Sequence, residues 1–534
     1  GIQPDGCGGR LEWDPSNCEN GQPVQPTCGP CNLGTASCDE QDAFSCLLPP
    51  VPDIETLNCE LAIIYVSSTY TGTTPLVSQE NPFKTLNGGL SAASANGSRL
   101  VIATNQKRYE ENETLIVTSG TSILGGYNED WRYSPTKSTE LFVGSGEVHS
   151  MGIEAQNITL PTLIANISLE TAKAPVNGNN YGIYANTANR LVIDNSTITA
   201  GEGGVGAEGS AGGGQAKPGK PGADGLPGQR SPGISSSPYD CPTPDDIVAE
   251  IGSGGFLLPC EDPYTKGGKG GSGGCTNTDP NHGGASAANG YGGDPGTETS
   301  QGGTNGQTFV PWGTNSIGGE GRGGTSGGSI EDGFWVSTGQ GENGTNGRGG
   351  RGGGGGGGAY KYQEQLNYSS GPLGGEGGGG GCAGIGGEGG YGGGSSFGML
   401  IIDSFGLEIK NNSTIVASNG GTGGIGQTGG TGGKGGVGGM GTDQACTVQQ
   451  STERQYSNCF SLGYKSGDGG DGSDGTPGGP GGGGAGGDSY GIYCHESTIG
   501  IDTSTTIESG LPGTGGPGGV YPAGELPDPN ENGE

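Results

Sequence analysis

Apolar residues in this chain fall in short islands rather than long helical periods. Residues 61–66 (LAIIYV), 99–104 (RLVIAT), 114–118 (TLIVT) and 121–127 (TSILGGY) are apolar or alternating, and are bounded by Asn, Gly and Ser, the pattern of strands. Between the first two, the stretch NPFKTL at 81–86 leads into a short predicted helix running through Ala92 to Ala95. Four later segments read as one repeat, opening at Met151-Gly152-Ile153, Tyr181-Gly182-Ile183, Phe397-Gly398-Met399 and Tyr490-Gly491-Ile492. In the last three, Leu191, Leu407 and Ile499 correspond, as do Ile193, Ile409 and Ile501, then Ile198, Ile415 and Ile507. Leu-x-Ile between polar neighbours has period two, so these aliphatics face inward and stack coil on coil. Asn195, Asn412 and Ser504 fall where stacked coils are expected to carry a polar ladder.

A second period governs the segments between the islands. Residues 420–441 read GGTGGIGQTGGTGGKGGVGGMG, with Gly420, Gly423, Gly426, Gly429, Gly432, Gly435, Gly438 and Gly441 in phase. Thr422, Ile425, Thr428, Thr431, Lys434, Val437 and Met440 fill the third position of each G-G-X unit. A period of three fits neither an α-helix nor a strand, but does fit the left-handed extended helix with three residues per turn. One face of such a helix is bare backbone, open to close approach by another chain. A flexible linker has no reason to keep register, so ordered, laterally packed extended helices are expected here and in the in-phase tracts at 203–212, 219–228, 318–327, 341–356, 375–393, 469–487 and 510–519.

The order YVSS, NPFKTLNGGLSAAS, RLVIA, ILGGYN and then Trp131 resembles the N-terminal turns of secreted bacterial parallel β-helix proteins of the pectate-lyase-like superfamily. The resemblance covers residues 61–200 and then the later islands. It implies an all-β, right-handed parallel β-helix (a solenoid) whose first coil is capped by a short helix. The expected organisation is a Cys-rich disulfide module (1–59), N-terminal coils (60–200), a Gly-rich insertion (201–395), one coil (396–418), a second Gly-rich insertion (419–488), the last coil (489–509) and a Gly/Pro-rich acidic tail (510–534).

Composition sharpens this picture. With 128 glycines in 534 residues and only 28% hydrophobic, any core is thin and elongated. A net charge of −33, from 22 basic and 55 acidic residues, argues against nucleic acid and anionic membrane as partners. No apolar run approaches the roughly 20 residues of a membrane-spanning helix, and the opening Gly-Ile-Gln-Pro reads as a processed terminus of an exported chain. Fourteen cysteines against three histidines favour disulfides in an oxidising compartment over zinc. Cys7, Cys18, Cys28, Cys31, Cys38, Cys46 and Cys59 belong to the first module, an odd set that leaves one to pair elsewhere or stay free. Cys241, Cys260, Cys275, Cys382, Cys446, Cys459 and Cys494 lie in or beside the insertions, with 241–260 and 446–459 as plausible local staples among connectivities left open.

Candidate chemistry is sparse. Asp468, Asp471 and Asp474 in GDGGDGSDG partly match the nonapeptide calcium repeat and are the candidate metal residues; no other cofactor is expected. Asp194, Lys410 and Asp502 align as an outward ladder of alternating charge, read as a solvated salt-bridge ladder. No paired-carboxylate motif of a polysaccharide lyase or hydrolase and no G-x-S-x-G elbow is present, so catalysis is not expected. The expected role is an extracellular structural or adhesive protein, self-assembling as a homo-oligomer or fibre. The alternatives are an ice-binding protein and a β-helix that binds or cleaves extracellular polysaccharide.

Overall fold

The computed structural model describes residues 63–212, 302–308, 317–359, 372–449 and 455–522, except positions 73, 74, 76, 77, 98, 145, 462 and 463, together with short segments in the first fifty residues and the strand Gly228–Arg230. Its strands recur in a fixed order. The first turn holds β1 (Ile63–Val66) and α1 (Leu86–Asn96). Two turns of three strands follow, β2 (Leu100–Thr104), β3 (Tyr109–Glu111) and β4 (Leu115–Val117), then β5 (Ser122–Tyr127), β6 (Thr139–Val143) and β7 (Ser150–Gln156). The next comprises β8 (Thr162–Ala165), β9 (Ile167–Thr171) and β10 (Asn180–Asn186). Then come β11 (Leu191–Asp194) and β12 (Thr197–Ala200), a long excursion carrying the hairpin β13 (Gly328–Glu331) and β14 (Phe334–Ser337), and the return strand β15 (Ser396–Ile402). Strands β16 (Phe405–Lys410) and β17 (Thr414–Ala417) precede a second excursion with β18 (Gln444–Gln449) and β19 (Gln455–Ser461), which returns at β20 (Ser489–His495). The stack finishes with β21 (Thr498–Ile501) and β22 (Thr506–Glu508).

These strands build three sheets, ordered β1-β2-β5-β8-β11-β16-β21, β3-β6-β9-β12-β17-β22 and β4-β7-β10-β15-β20, and every neighbouring pair in them is parallel. The fold is therefore nearly all-β and dominated by parallel sheet, compatible with a parallel β-helix. The expected correspondences appear in the pairing: Ile193 opposite Ile409 and Ile501, Ile198 opposite Ile415 and Ile507, Tyr181 opposite Phe397 and Tyr490. Parallel pairing puts like residues above one another, and the inward columns fuse into one core from Ile64 to Ile415. The corners repeat as well. Asn157, Thr187, Asp403 and Glu496 adopt positive φ (54°, 54°, 49° and 48°) between the third sheet and the first, as do Asn166, Asn195 and Asn411 (52°, 43° and 54°) between the first and second. Asn and Asp tolerate this left-handed conformation better than other side chains, which is why they cluster at the bends.

Helix α1 closes the N-terminal end. Its Leu86, Leu90 and Ala93 join the core, and Thr85 caps it by accepting from the Gly88 amide. The buried Glu111 carboxylate lies at the same helix end and accepts from the Leu86 amide at 2.6 Å. Two further clusters cover outer sheet faces. Leu33, from the first module, packs with Tyr127, Trp131 and Tyr133 outside the first sheet. Hairpin β13–β14 lays Phe334 and Trp335 on the aromatic column Tyr181, Phe397 and Tyr490 of the third sheet. It is pinned there by the Tyr184 hydroxyl, donating to the Gly333 carbonyl, and by His149 stacked on Phe334 at 5.6 Å.

Candidate assembly surface

The glycine tracts lack helix or strand pairing, yet their backbones are bonded from tract to tract at every third residue. Taken in chain order they are tract 1 (201–212), tract 2 (302–308), tract 3 (317–327), tract 4 (339–359), tract 5 (372–394), tract 6 (419–442), tract 7 (464–488) and tract 8 (510–520). Tracts 1, 6 and 8 continue directly from β12, β17 and β22 and run parallel, with Gly206 donating to Thr422 at 2.7 Å and Gly423 to Thr514 at 2.9 Å. Tracts 5 and 7 lead back into β15 and β20. They run antiparallel to tract 6, with Gly424 donating to Tyr391 at 2.8 Å and Gly484 to Gly424 at 2.9 Å. Tract 4 forms a further row, the Gly350 amide donating to Gly381 at 2.7 Å and the Arg351 carbonyl accepting from the Ser473 amide at 2.8 Å, while tracts 2 and 3 flank it.

The coil pitch explains the glycine. Hydrogen-bonded strands stand about 4.8 Å apart, and a segment continuing from each coil must follow its neighbour at that pitch. Side chains between such segments would force them apart. A Cβ built on Gly381 would fall onto the Gly433 carbonyl, and one on Gly424 onto the carbonyl of Ala207. The third position instead faces outward: Ile425, Val437 and Met440 are 40, 62 and 63% exposed.

Polar residues at third positions have a role that the sequence reading missed. Asp474, Asp471 and Asp468 each offer Oδ1 to an amide of tract 6, from Gly435, Gly438 and Gly441 at 2.8, 2.8 and 2.7 Å. Asn343 and Asn346 do the same for Gly389 and Gly386 at 2.9 and 2.8 Å. Lys434 pairs with Asp474 at 2.7 Å. The three candidate calcium residues are thus held apart, each on its own amide along the tract, and no group of three or more His, Cys, Asp or Glu able to hold a metal occurs among the described residues. The signal in the sequence was an Asp recurring every third residue; the tract it faces was not readable there.

The charge ladder differs from the expectation. Asp194 is buried, both its oxygens accepting from the Asn411 side chain at 3.0 Å, and burial pushes its carboxyl above the ordinary range. Lys410 lies 3.7 Å from Glu408, and Asp502 accepts from the Asn411 amide at 2.6 Å. Hydrogen bonds from Ser504 and Asn411 hold Asp502 down to about 2. The ladder is bridged by Asn411 rather than by solvated ion pairs.

Of the cysteines, Cys382 is buried and disulfide-bonded. Cys494 is instead a free, exposed thiol, against the expectation that it would be stapled. It sits opposite Ile401, which is opposite Ala185, on an inward column where no other sulfur lies. The remaining cysteine side chains lie outside the described residues.

That column ends at an open mouth. Ile193, Ile409, Ile198 and Ile415 are fully buried, yet their successors Ile501 and Ile507 are 44 and 42% exposed. β20, β21 and β22 are the last strands of their sheets, and the outer row of tracts ends at tract 8, where Leu511 and Val520 are 72 and 67% exposed. One end of the molecule is sealed by a helix; the other presents its cross-section.

No family model matches this chain, and no curated protein or solved structure is significantly similar to it. No described helix is long and apolar enough to cross a membrane.

Proposed function

We propose that this chain is an extracellular structural protein that associates with copies of itself: a right-handed parallel β-helix spine bearing a packed layer of left-handed, three-residue-per-turn glycine helices. The observation that carries the reading is the bonding of tract to tract at every third residue, from Gly421→Gly394 through Gly439→Glu376 and from Gly375→Gly467 through Gly393→Ala485. The hand is supported by the backbone: among the described tract glycines only Gly327, at a tract end, has positive φ. Such a layer, locked by backbone hydrogen bonds, has the character of a material, stiff and repetitive. The carboxylates of Asp468, Asp471, Asp474, Asp194 and Glu111 are engaged in holding backbone or neighbouring amides, which supports a role without catalysis. The acidic surface suits a protein displayed or secreted, and an apolar, unpaired coil end suits association.

Negative-stain imaging and sedimentation of the full chain across a wide concentration range test the proposal. Assemblies of uniform width that grow with concentration are the expected result; particles that stay monomeric at the highest concentration reached overturn it.

A further inference from the structure

The geometry points to the C-terminal mouth of the coil stack as the joining surface, occupied by the same mouth of a second copy related by a two-fold axis. This rests on the self-association proposed above and names its partner surface. Three observations carry it. The first is the core itself. Ile501, Ile507 and Cys494 continue columns that are buried everywhere upstream, so the mouth exposes core side chains rather than surface ones. The second is the edge: among the described residues β20, β21 and β22 are each the last strand of a sheet, with no further strand paired beyond them. The third is tract 8. Its in-phase Gly510, Gly513, Gly516 and Gly519 sit against tract 6 as the inner glycines do, whereas on its other side Gly515 and Gly518, in phase with Pro512, have their nearest atoms among the described residues at 3.5 and 3.6 Å. That side, two glycines and a proline, leaves room for the backbone of a further tract.

A partner that satisfies coil edge and tract together must carry both layers at the same pitch, as another copy does. Head-to-tail stacking is ruled out by α1, whose Leu86, Leu90 and Ala93 already fill the opposite end of the core. The step at the mouth favours the two-fold. The last turn contains β21 and β22 but no third-sheet strand above β20, so the second sheet stands higher than the third. A two-fold through the first sheet sets β21 against its own copy, antiparallel, and lowers each β22 onto the partner's β20. The contact is isologous and closes on itself. Antiparallel neighbours are already used within the glycine layer, between tracts 6 and 5. Where the described chain ends, the Tyr521 hydroxyl is donated to the Gly318 carbonyl in tract 3. Glu496, Asp502 and Glu508 surround the mouth and no Lys or Arg occurs after residue 488, so salt strengthens the pairing.

The test combines sedimentation with the alkylation rate of Cys494, using the full chain and a maleimide probe. The expected result is a concentration-dependent dimer, promoted by salt, in which loss of Cys494 reactivity tracks dimer formation. Ile507→Glu is expected to abolish the dimer while leaving circular dichroism and melting unchanged, since Ile507 is already exposed in the single chain; Gly515→Val is expected to weaken it. Oligomers in which Cys494 stays as reactive as in the monomer, or which Ile507→Glu leaves intact, overturn the mouth pairing but leave self-association standing. A chain that never associates overturns both.

Discussion

Glu111 shows how one residue can fasten two parts of this fold. Its carboxylate is buried at the N-terminus of α1 and accepts from Leu86 at 2.6 Å and Asn87 at 3.4 Å, so a side chain from β3 serves as a helix cap. The positive end of the helix dipole and the free amides of the first turn favour an acceptor there. Glu111→Ala leaves those amides unsatisfied and is expected to cost about 1–3 kcal/mol, read as a fall in melting temperature; Glu111→Gln, which keeps an acceptor, is expected to cost less. His149 is the second case. Its Nδ1 accepts from the Asn179 amide at 3.1 Å and its ring stacks on Phe334, so the neutral imidazole is the form that fits, and burial lowers its affinity for a proton. Below the ordinary histidine value of about 6.5 the unfolded chain takes up a proton that the folded chain resists. The stability is complete above that pH and falls as pH drops toward the depressed folded value. Melting curves from pH 7.5 to 5 should show this loss in the wild type and a smaller slope in His149→Phe. Neither role could be read from the chain, because Glu111 and His149 acquire their partners only when the coils stack.

At the scale of elements, the rule is that a glycine tract needs glycine where it faces another backbone and tolerates any residue where it faces water. Gly381→Ala places a Cβ on the Gly433 carbonyl and must push two tracts apart. Overpacking of this kind costs about 1–3 kcal/mol or more, so thermal unfolding of Gly381→Ala should shift clearly, whereas Thr422→Ala at an outward position should not. Asp471 is the lateral counterpart. Asp471→Ala removes the acceptor for the Gly438 amide and is expected to cost about 1 kcal/mol, whereas chelator should leave the wild-type melting temperature unchanged. The period of three was legible in the sequence, while the bonding of one tract to another was not, since each bond joins segments distant in the chain. The strands were legible where alternation was clean, as in residues 191–193 and 407–409. Strands β3 and β6 were not, being short segments that pair about thirty residues away, and neither was hairpin β13–β14, whose packing surface on the third sheet lies far away in sequence. Phe334 and Trp335 give no local sign that an aromatic column awaits them on the third sheet.

At the scale of the whole molecule, two lattices share one pitch. Coils stacked by strand hydrogen bonds feed tracts stacked by backbone hydrogen bonds, and each fixes the other's spacing. Amide hydrogen exchange should therefore map the layers directly. The amides of Gly424, Gly433 and Gly475, each bonded to a neighbouring tract, are expected to exchange slowly, and those of Gly515 and Gly518 quickly in the monomer. Fast exchange throughout tracts 5, 6 and 7 would show the layer to be unpaired chain and remove the main support for a structural role.

The sequence alone determined the two periods, two for the inward aliphatics and three for the glycines, because each reflects a backbone geometry that local residues set by themselves. It determined the corners less well: the bend that matches Asn195 is at Asn411 rather than Asn412, and Thr187 and Glu496 hold bends equivalent to those of Asn157 and Asp403. Only the tertiary structure decided which tract lies beside which, that Asp468, Asp471 and Asp474 each accept from a separate amide, and that Cys494 ends an inward column instead of joining a staple. Those are questions of proximity between segments far apart in the chain, and nothing within a single segment records its neighbour.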